Sequence, residues 1–338
     1  MTRPMGDVFL AGIAGILPPA VPVEEALAAG AWTRREAAET QQLSVTVAPP
    51  EQHSPDLAVE AARLALQRAQ RSPAQISLAL HSMMLSPGGR LWHGAAYVHR
   101  QLGVPTGRCI TTDLDCGCDS SLVAFELASA YLRGRDESEL ALVTAADCWR
   151  APEVDRWRSS TCPFGDGAAA AVLSRQGGFA RIAGISSLSD PELEPVGRGL
   201  EPFTRDHENP AGPVYLRSRG SEIVDAERIW PTVTRDVQQV VAAAAEQAGV
   251  AVSDLDHVVC PFLGHDLTKQ EFLDPLSLDF SAIPWDFSRR VGHLGPADPL
   301  AGLDHLVNVE RVSWRYALLL AYGVGGIFTA VVLESTRA

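Results

Sequence analysis

Apolar residues along the chain alternate between helical spacing and short continuous runs. Residues 57–69 and 233–249 repeat apolar positions every three to four residues, which predicts two helices. Each is followed by a polar turn and then by a short apolar run, residues 77–82 and 256–261, which predicts a buried strand. Helices and strands that alternate in this way are typical of an α/β protein whose sheets are mixed or mostly parallel.

These two helix–strand units lie about half a chain apart, which predicts an internal duplication of one α/β unit. The two halves also end alike, since residues 165–173 and 325–333 each begin with glycine and continue as an apolar run. A glycine turn near residues 174–178 marks the boundary. We therefore predict an N-terminal half, residues 1–176, and a C-terminal half, residues 177–338.

Two further stretches need an interpretation. Residues 316–333 carry no charge and are long enough to span a membrane, but Gly323, Gly325 and Gly326 interrupt them, so we predict two buried strands joined by a glycine turn. Residues 188–228 are rich in proline, glycine and charged residues. They predict a long loop that is a lid, a binding loop, a dimer contact or a mobile surface excursion.

Composition narrows the class of protein. Of the 338 residues, 46% are hydrophobic and 20% are charged, which indicates an ordered protein with a sizeable core. The net charge of −13 argues against a nucleic-acid partner. The six cysteines fall in or beside apolar runs and no signal peptide is apparent, so we expect reduced thiols, a cytoplasmic location and no membrane anchor. Two cysteines around Gly117 without a second pair do not predict a metal site.

Cys118 is the candidate nucleophile because it lies where an apolar strand meets a long apolar helix. Asp119, Ser120 and Ser121 are expected to supply capping oxygens at the start of that helix. A thiol at a helix N-terminus feels the positive end of the helix dipole and unpaired backbone N–H groups, which stabilise a thiolate. The alternative interpretation is a buried, inert cysteine.

His293 is the first candidate for the proton shuttle that a cysteine nucleophile needs. It lies in a glycine-flanked loop, and Asp298 follows near the start of a predicted helix, where its carboxylate could orient the imidazole. Alternatively, Asp298 only caps the helix and His293 only packs. His265 follows an apolar strand and is the second candidate, and His81 ends the equivalent strand of the first half.

Four features occur together: the strand-to-helix cysteine, the Phe-Gly-Asp-Gly-Ala motif at residues 164–168, the glycine-rich turn at residues 323–326 and the duplicated halves. In this combination they resemble the thiolase superfamily, most closely its β-ketoacyl synthase III branch. The resemblance implies a duplicated, five-layer αβαβα fold and a homodimer. It implies that Cys118 is the nucleophile, whereas Cys116 would need a two-residue shift, and that the backbone N–H groups of Cys118 and Gly325 bind the oxyanion.

Departures from the family pattern are also informative. Phe262 replaces the histidine of the family's His-Gln-Ala-Asn motif, His265 stands where that motif ends, and His293 replaces a second family asparagine. Together, Cys118, His293 and Asp298 resemble a sub-branch of antibiotic pathways. That sub-branch includes starter-unit synthases of the daunorubicin type and acyltransferases that esterify sugars or aglycones.

The resemblance therefore predicts an acyltransferase that moves an acyl group from an acyl carrier protein or coenzyme A thioester, through Cys118, onto a hydroxyl or amine of a small molecule. No tightly bound cofactor is expected, since the acyl-phosphopantetheine is a co-substrate. Residues 32–35 match the Trp/Arg pair that similar enzymes use for coenzyme A only loosely, which favours a carrier-protein donor. The alternatives are a priming β-ketoacyl synthase, a thioester hydrolase and a non-catalytic partner subunit.

Overall fold

A computed structural model describes residues 7–89, 91–152, 154–198 and 226–337 of the chain. The strands of this part are β1 Phe9–Ile16, β2 Ala20–Pro22, β3 Ser44–Thr46, β4 Ile76–Ser82, β5 Ile110–Leu114, β6 Leu140–Asp147, β7 Gly167–Ser174, β8 Ala180–Ser189, β9 His257–Val259, β10 Tyr316–Gly323 and β11 Ile327–Ser335. Its α-helices are Val23–Ala28, Arg34–Thr40, Ser54–Ala69, Gly94–Gln101, Ser120–Arg133, Glu194–Arg198, Ala226–Ala248, His265–Thr268, Asp274–Leu276, Trp285–Val291 and Asp298–Asp304.

The main sheet repeats one strand order twice. Its order is β5-β4-β6-β7-β1-β8-β11-β10-β9, so β4-β6-β7-β1 in the first half corresponds to β9-β10-β11-β8 in the second. In each set the first two strands are parallel and the remaining pairs are antiparallel. The two sets meet at a short pairing of β1 with β8, from Phe9 to Arg181 and from Leu10 to Ala180. The predicted boundary near residues 174–178 lies between β7 and β8.

Helices cover and separate these two sections of sheet. The helix Ser54–Ala69 packs on β1, β6 and β7, and Ala226–Ala248 packs on β8 and β11. Between the sections, Ser120–Arg133 and Asp298–Asp304 contact each other and strands of both halves. The mixed α/β, five-layer αβαβα prediction is thereby confirmed.

The same irregularity occurs in the first strand of each half. Residues 10–13 read Leu-Ala-Gly-Ile and residues 182–185 read Ile-Ala-Gly-Ile. In both strands the register shifts at this point, so that the central alanine is an extra residue in the ladder. This paired bulge is a signal of duplication that the helix-and-strand pattern alone did not reveal.

The glycine of each bulge lets the outer helix approach the sheet. A Cβ atom on Gly12 would lie 2.2 Å from the carbonyl oxygen of Ala65, and one on Gly184 would lie 2.1 Å from that of Ala244. Both distances are far below a van der Waals contact, and the obstacle is helix backbone. Glycine is therefore required where each outer helix crosses its first strand.

The predicted boundaries of the loop at residues 188–228 are wrong at both ends. β8 continues to Ser189 because it pairs with β11 along its whole length, and a short helix follows at Glu194–Arg198. The long helix begins at Ala226, earlier than the predicted residue 233, and includes Pro231. Residues 199–225 lie outside the described part of the chain, so the roles predicted for this loop remain predictions.

Residues 316–333 form β10 and β11, as predicted. The two strands pair with each other, from Tyr316 opposite Glu334 to Gly323 opposite Ile327, and the glycines lie at the turn. Of the helices in the described ranges, none combines the length and apolar character that crossing a membrane requires.

We expect Gly12→Ala and Gly184→Ala each to lower the stability of the protein by about 1–3 kcal/mol, because the added Cβ forces the outer helix away from the sheet. The measurement is the thermal unfolding midpoint of each purified variant. Gly134→Ala is the matched control, since its Cβ would meet nothing closer than 3.7 Å and should change stability by less than about 1 kcal/mol. Equal midpoints for all three variants would contradict the proposed close packing.

Candidate active site

The segment between β5 and the helix Ser120–Arg133 holds Cys118 in a tight turn. Gly117 has a φ of 67°, and a Cβ there would lie 2.9 Å from the backbone nitrogen of Val324. The Ser120 hydroxyl donates to the Gly117 carbonyl oxygen at 2.6 Å and accepts from the Cys116 N–H at 2.8 Å. These bonds fix the backbone on either side of Cys118, just before the helix begins.

Asp119 is the N-cap residue but does not act as the predicted cap. Its side chain makes no capping hydrogen bond and instead accepts a bond from the Thr329 hydroxyl on β11 at 2.7 Å. Burial raises the pKa of Asp119 well above its usual value. Asp119 thus ties the nucleophile segment to the C-terminal half, and the helix N-terminus is left without an oxygen from this side chain.

The three residues predicted as a triad form one chain of contacts. The Sγ of Cys118 lies 3.1 Å from Nε2 of His293, and Nδ1 of the same ring lies 2.5 Å from Oδ2 of Asp298. His293 and Asp298 are buried, whereas Cys118 is half-buried. The arrangement can move a proton between the thiol and the imidazole while the carboxylate orients the ring.

Asp298 is held by two loops as well as by the imidazole. Its Oδ1 accepts from the Leu294 N–H at 2.7 Å, and its Oδ2 accepts from the Phe262 N–H at 2.8 Å. Although Asp298 is the first residue of its helix, its carboxylate points to these two loops. The orientation of the carboxylate is therefore set before any substrate binds.

The Phe-Gly-Asp-Gly-Ala motif supports the histidine rather than the reaction directly. Gly165 donates its N–H to the His293 carbonyl oxygen at 3.0 Å, and a Cβ on Gly165 would lie 1.9 Å from the Val291 carbonyl oxygen. The Phe164 ring stacks on the imidazole with centroids 5.6 Å apart. Asp166 accepts N–H groups of two other segments and pairs with Arg156 at 3.0 Å. The motif thus locks the loop that carries His293.

Neighbouring charges control the protonation of His293. Burial is the largest single influence on its pKa and lowers it, but the charges of Asp298 and Cys118 and their hydrogen bonds hold the pKa well above its usual value. The imidazole beside Cys118 is therefore held in its protonated form. When Cys118 carries an acyl group it no longer contributes a charge or a hydrogen bond that favours the imidazolium, so the pKa of His293 falls and the ring becomes able to accept a proton.

Cys118 and His293 open onto a cavity of about 410 Å³. Gly325 lies on the same wall with a φ of 114°, a conformation that L side chains rarely adopt. Most of the other lining side chains are apolar: Met84, Trp149, Phe164, Leu193, Val196, Ile229, Trp230, Val233, Pro261, Leu263, Leu267 and Val324. A cavity of this kind suits the body of an organic acyl group or acceptor.

The structure does not bring the two secondary candidates into this cavity. His265 stacks on Phe280 with centroids 4.5 Å apart and contacts Asp266 at 2.7 Å. Cys116 is half-buried, and burial raises the pKa of its thiol. Among the described lining residues the histidine is His293 and the thiols are Cys118 and Cys162. Burial raises the pKa of the Cys162 thiol to about 11, which disfavours a second nucleophile.

His81 and Phe262 also lie away from the cavity wall. His81 contacts the Thr144 hydroxyl at 2.9 Å, and burial lowers its pKa to about 4, so it is a neutral core histidine. Phe262 packs edge-on against Phe287 with centroids 5.7 Å apart. The position that the sequence resemblance equates with the family's histidine therefore contributes an N–H to Asp298 and no polar side chain to the cavity.

One polar pair in the cavity was missed by sequence reasoning. The Tyr322 hydroxyl donates to Oε2 of Glu271 at 2.7 Å, and both residues line the cavity. Burial raises the pKa of Glu271 to about 7. The available signal was weak: Glu271 is a single acidic residue beside Phe272 and Leu273, and sequence spacing does not relate it to Tyr322.

Comparisons with known proteins agree with this architecture. The family model of 3-oxoacyl-[acyl-carrier-protein] synthase III matches residues 112–191, which include Cys118 and the motif at residues 164–168. The β-ketoacyl-[acyl-carrier-protein] synthase III of Rhizorhabdus wittichii is 28% identical over 205 residues, or 60% of each protein. The corresponding synthase of Sphingopyxis alaskensis is 26% identical over 285 residues, or 84% of each protein.

Among solved structures, ChlB3, described as an acyltransferase, superposes with a TM-score of 0.91 at 29% identity. The superposition covers 97% of this chain and 98% of ChlB3. The chain is therefore a thiolase-fold protein similar to 3-oxoacyl-[acyl-carrier-protein] synthase III, as the sequence resemblance predicted. The match with the Rhizorhabdus relative spans 60% of that protein, so activity, substrates and partners are matters for proposal.

The raised pKa of Glu271 predicts a pH-dependent stability. The folded pKa is about 7 and the usual value is 4.5, so the folded state holds the proton more tightly than the unfolded chain. The contribution of Glu271 to stability is then present below pH 4.5 and is lost as the pH rises to about 7, by about 3 kcal/mol. The thermal unfolding midpoint of the wild type should therefore fall between pH 5 and pH 8, and Glu271→Gln should reduce that fall. The measurement is the midpoint of each protein at both pH values.

The control is Glu246→Gln, which removes the same charge from an exposed position. This variant should retain the pH dependence of the wild type. If Glu271→Gln also retained it in full, Glu271 would have to be ionised throughout that range in the folded protein.

Proposed function

We propose that this chain is an acyltransferase that moves an acyl group from a phosphopantetheine thioester, through Cys118, onto a hydroxyl of a small molecule, or less readily onto an amine. The observation that carries the proposal is the continuous series of contacts from Cys118 through His293 to Asp298 at the wall of a largely apolar cavity. The similarity to ChlB3, itself described as an acyltransferase, supports it.

The first half-reaction acylates the enzyme. The thiolate of Cys118 attacks the thioester carbonyl carbon, a new C–S bond forms, and the carbonyl oxygen becomes an oxyanion. Backbone N–H groups of Cys118 and Gly325 are the proposed donors to that oxyanion, and losing one such donor typically costs about 10²–10³ in rate. The intermediate collapses, its original C–S bond breaks, and the departing pantetheine sulfur takes the proton from His293.

The second half-reaction transfers the acyl group. Nε2 of the now neutral His293 accepts the proton of the acceptor hydroxyl as its oxygen attacks the acyl carbon. The C–S bond to Cys118 then breaks, and the ester leaves a thiolate beside an imidazolium. Asp298 holds the ring through Nδ1 and balances the positive charge. The covalent intermediate implies ping-pong kinetics.

Carbon–carbon bond formation is the second candidate. A priming β-ketoacyl synthase must stabilise the enolate that malonyl decarboxylation produces, which requires hydrogen-bond donors in addition to the nucleophile. Phe262 supplies none, and the described cavity wall holds one histidine, His293, already paired with Asp298. This favours acyl transfer. Thioester hydrolysis uses the same residues, and a non-catalytic partner subunit would have no need of the complete Cys–His–Asp chain.

The remaining features of the proposal follow from the sequence and the resemblance. We propose that the donor is an acyl carrier protein or coenzyme A thioester, that no cofactor is tightly bound, and that the enzyme is a cytoplasmic homodimer. We further propose a role in antibiotic or polyketide biosynthesis, with a small-molecule acceptor. The six cysteines of the chain are free thiols, which suits a reducing compartment.

Intact-protein mass spectrometry tests the nucleophile. We expect wild type and Cys116→Ala to gain one acyl group from a panel of short acyl and malonyl thioesters, and Cys118→Ala to gain none. A malonyl adduct that keeps its carboxyl group would support acyl transfer over decarboxylative condensation. Loss of the adduct in Cys116→Ala instead would contradict the assignment of Cys118. No adduct on any variant would favour the partner-subunit alternative.

The second half-reaction, measured on its own, tests the role of Asp298. Asp298→Asn should slow transfer from the acyl-enzyme by about 10²–10⁴, because the imidazole loses its orienting carboxylate. The measurement is the decay of the Cys118 adduct in the presence of an alcohol. Asp266→Asn, which alters the carboxylate beside the remote His265, is the matched control and should retain the wild-type rate. Equal rates for all three proteins would contradict the proposed role of Asp298.

A further inference from the structure

Glu271 is a buried carboxyl group that the proposed chemistry does not use. It lies in a short π-helical stretch, Lys269–Leu273, between the helices His265–Thr268 and Asp274–Leu276. Single π-turns inside α-helices are often found at functional sites. The residue is 2% exposed, yet it contributes to the wall of the cavity that contains Cys118 and His293.

Only one oxygen of this carboxyl group has a partner within the described residues. The Tyr322 hydroxyl donates to Oε2, and no described donor bonds Oε1. Moving a carboxyl group from water into apolar surroundings is unfavourable unless hydrogen bonds replace those made to water. The neighbouring wall residues Leu267, Val233 and Tyr322 offer no second donor to it. Glu271 thus brings an acceptor oxygen without a described partner to a cavity wall that is otherwise mostly apolar.

Glu271 also lies where two cavities share a wall. A second cavity of about 400 Å³ is lined by Glu271, Trp230 and Val233, which also line the cavity of Cys118, and by polar residues such as Arg235 and Gln238. The Arg235 side chain is largely exposed. A molecule that extends from Cys118 towards this more polar surface would pass beside Glu271.

We propose that Glu271, in its ionised form, binds the substrate by accepting a hydrogen bond, through its free oxygen, from an N–H or O–H group of the molecule held beside Cys118. Tyr322 is the positioning residue that occupies the other oxygen and fixes the carboxyl plane. The identity of the bound molecule, an acyl donor or its acceptor, rests on the proposed function, whereas the hydrogen-bonding role of Glu271 does not. The donor group belongs either to an amide of the pantetheine arm or to a second hydroxyl or amine of the acceptor.

Binding to a Cys118→Ala protein tests this without any chemical step. Ligand-observed NMR titrations would compare two pairs of probes. One pair is acetyl-pantetheine and S-ethyl thioacetate, which lacks the amides; the other is 1,8-octanediol and 1-octanol, which lacks the second hydroxyl. The ratio of affinities in the diol pair isolates the second hydroxyl from the shared apolar contacts. The ratio in the acetyl-pantetheine pair reports the amide N–H and hydroxyl groups of the pantetheine arm together.

Glu271→Leu should lower one of these affinity ratios about 10-fold or more, since a buried group that recognises a donor discriminates strongly against its absence. A change in the acetyl-pantetheine ratio assigns Glu271 to the thioester donor, and a change in the diol ratio assigns it to the acceptor. Both ratios unchanged within about two-fold would overturn the proposal. Glu246→Gln, at an exposed position, controls for a general loss of charge.

Glu271→Gln keeps the proposal testable if the leucine variant does not fold. Its one carbonyl oxygen is expected to be taken by the Tyr322 hydroxyl, so the acetyl-pantetheine ratio should fall if an amide N–H is the donor, and the diol ratio should fall if a hydroxyl is. Absence of a Cys118 acyl adduct would refute the proposed function. It would leave the affinity ratios unaffected, so the two proposals fail independently.

Discussion

The contact between Cys118 and His293 is the interaction on which the rest of the site depends, because it joins the two halves of the molecule. The Sγ and Nε2 atoms are 3.1 Å apart, yet the residues are 175 positions apart in the chain. The thiol comes from the turn after β5, and the imidazole comes from a loop that the motif at residues 164–168 holds in place. A shift of either half relative to the other would break the proposed proton path, so the packing of the two central helices is a condition of the proposed chemistry.

Duplication provides the rigid frame for this contact. The paired bulges at residues 10–13 and 182–185 and the close helix crossings at Gly12 and Gly184 repeat one structural device in both halves. The halves have then diverged at the site: the first supplies the thiol, and the second supplies the imidazole and the carboxylate. The duplication thus accounts for the scaffold, whereas the site is built from side chains that differ between the two halves.

Buried charges in the site are balanced in two different ways. Asp298 contacts the imidazole and accepts hydrogen bonds from the N–H groups of Leu294 and Phe262, so both of its carboxyl oxygens have partners. Glu271 has one described donor, and burial raises its pKa to about 7. A carboxylate with a complete set of donors is suited to orienting a catalytic ring, whereas one with a free oxygen is suited to binding a ligand.

Local pattern was enough to predict the alternating elements, the duplication, the glycine turn before β11 and the placing of a cysteine at a helix start, because these depend on neighbouring residues. The resemblance then selected Cys118 over Cys116 and paired it with His293 and Asp298. Only the tertiary structure decided which groups share the cavity. The fold keeps His265 and Phe262 away from the cavity and places Glu271 against Tyr322. It also extends β8 to Ser189 through pairing with β11 and turns Asp119 towards Thr329. Each of these is a contact between residues far apart in the chain, and periodicity and spacing carry no information about such contacts.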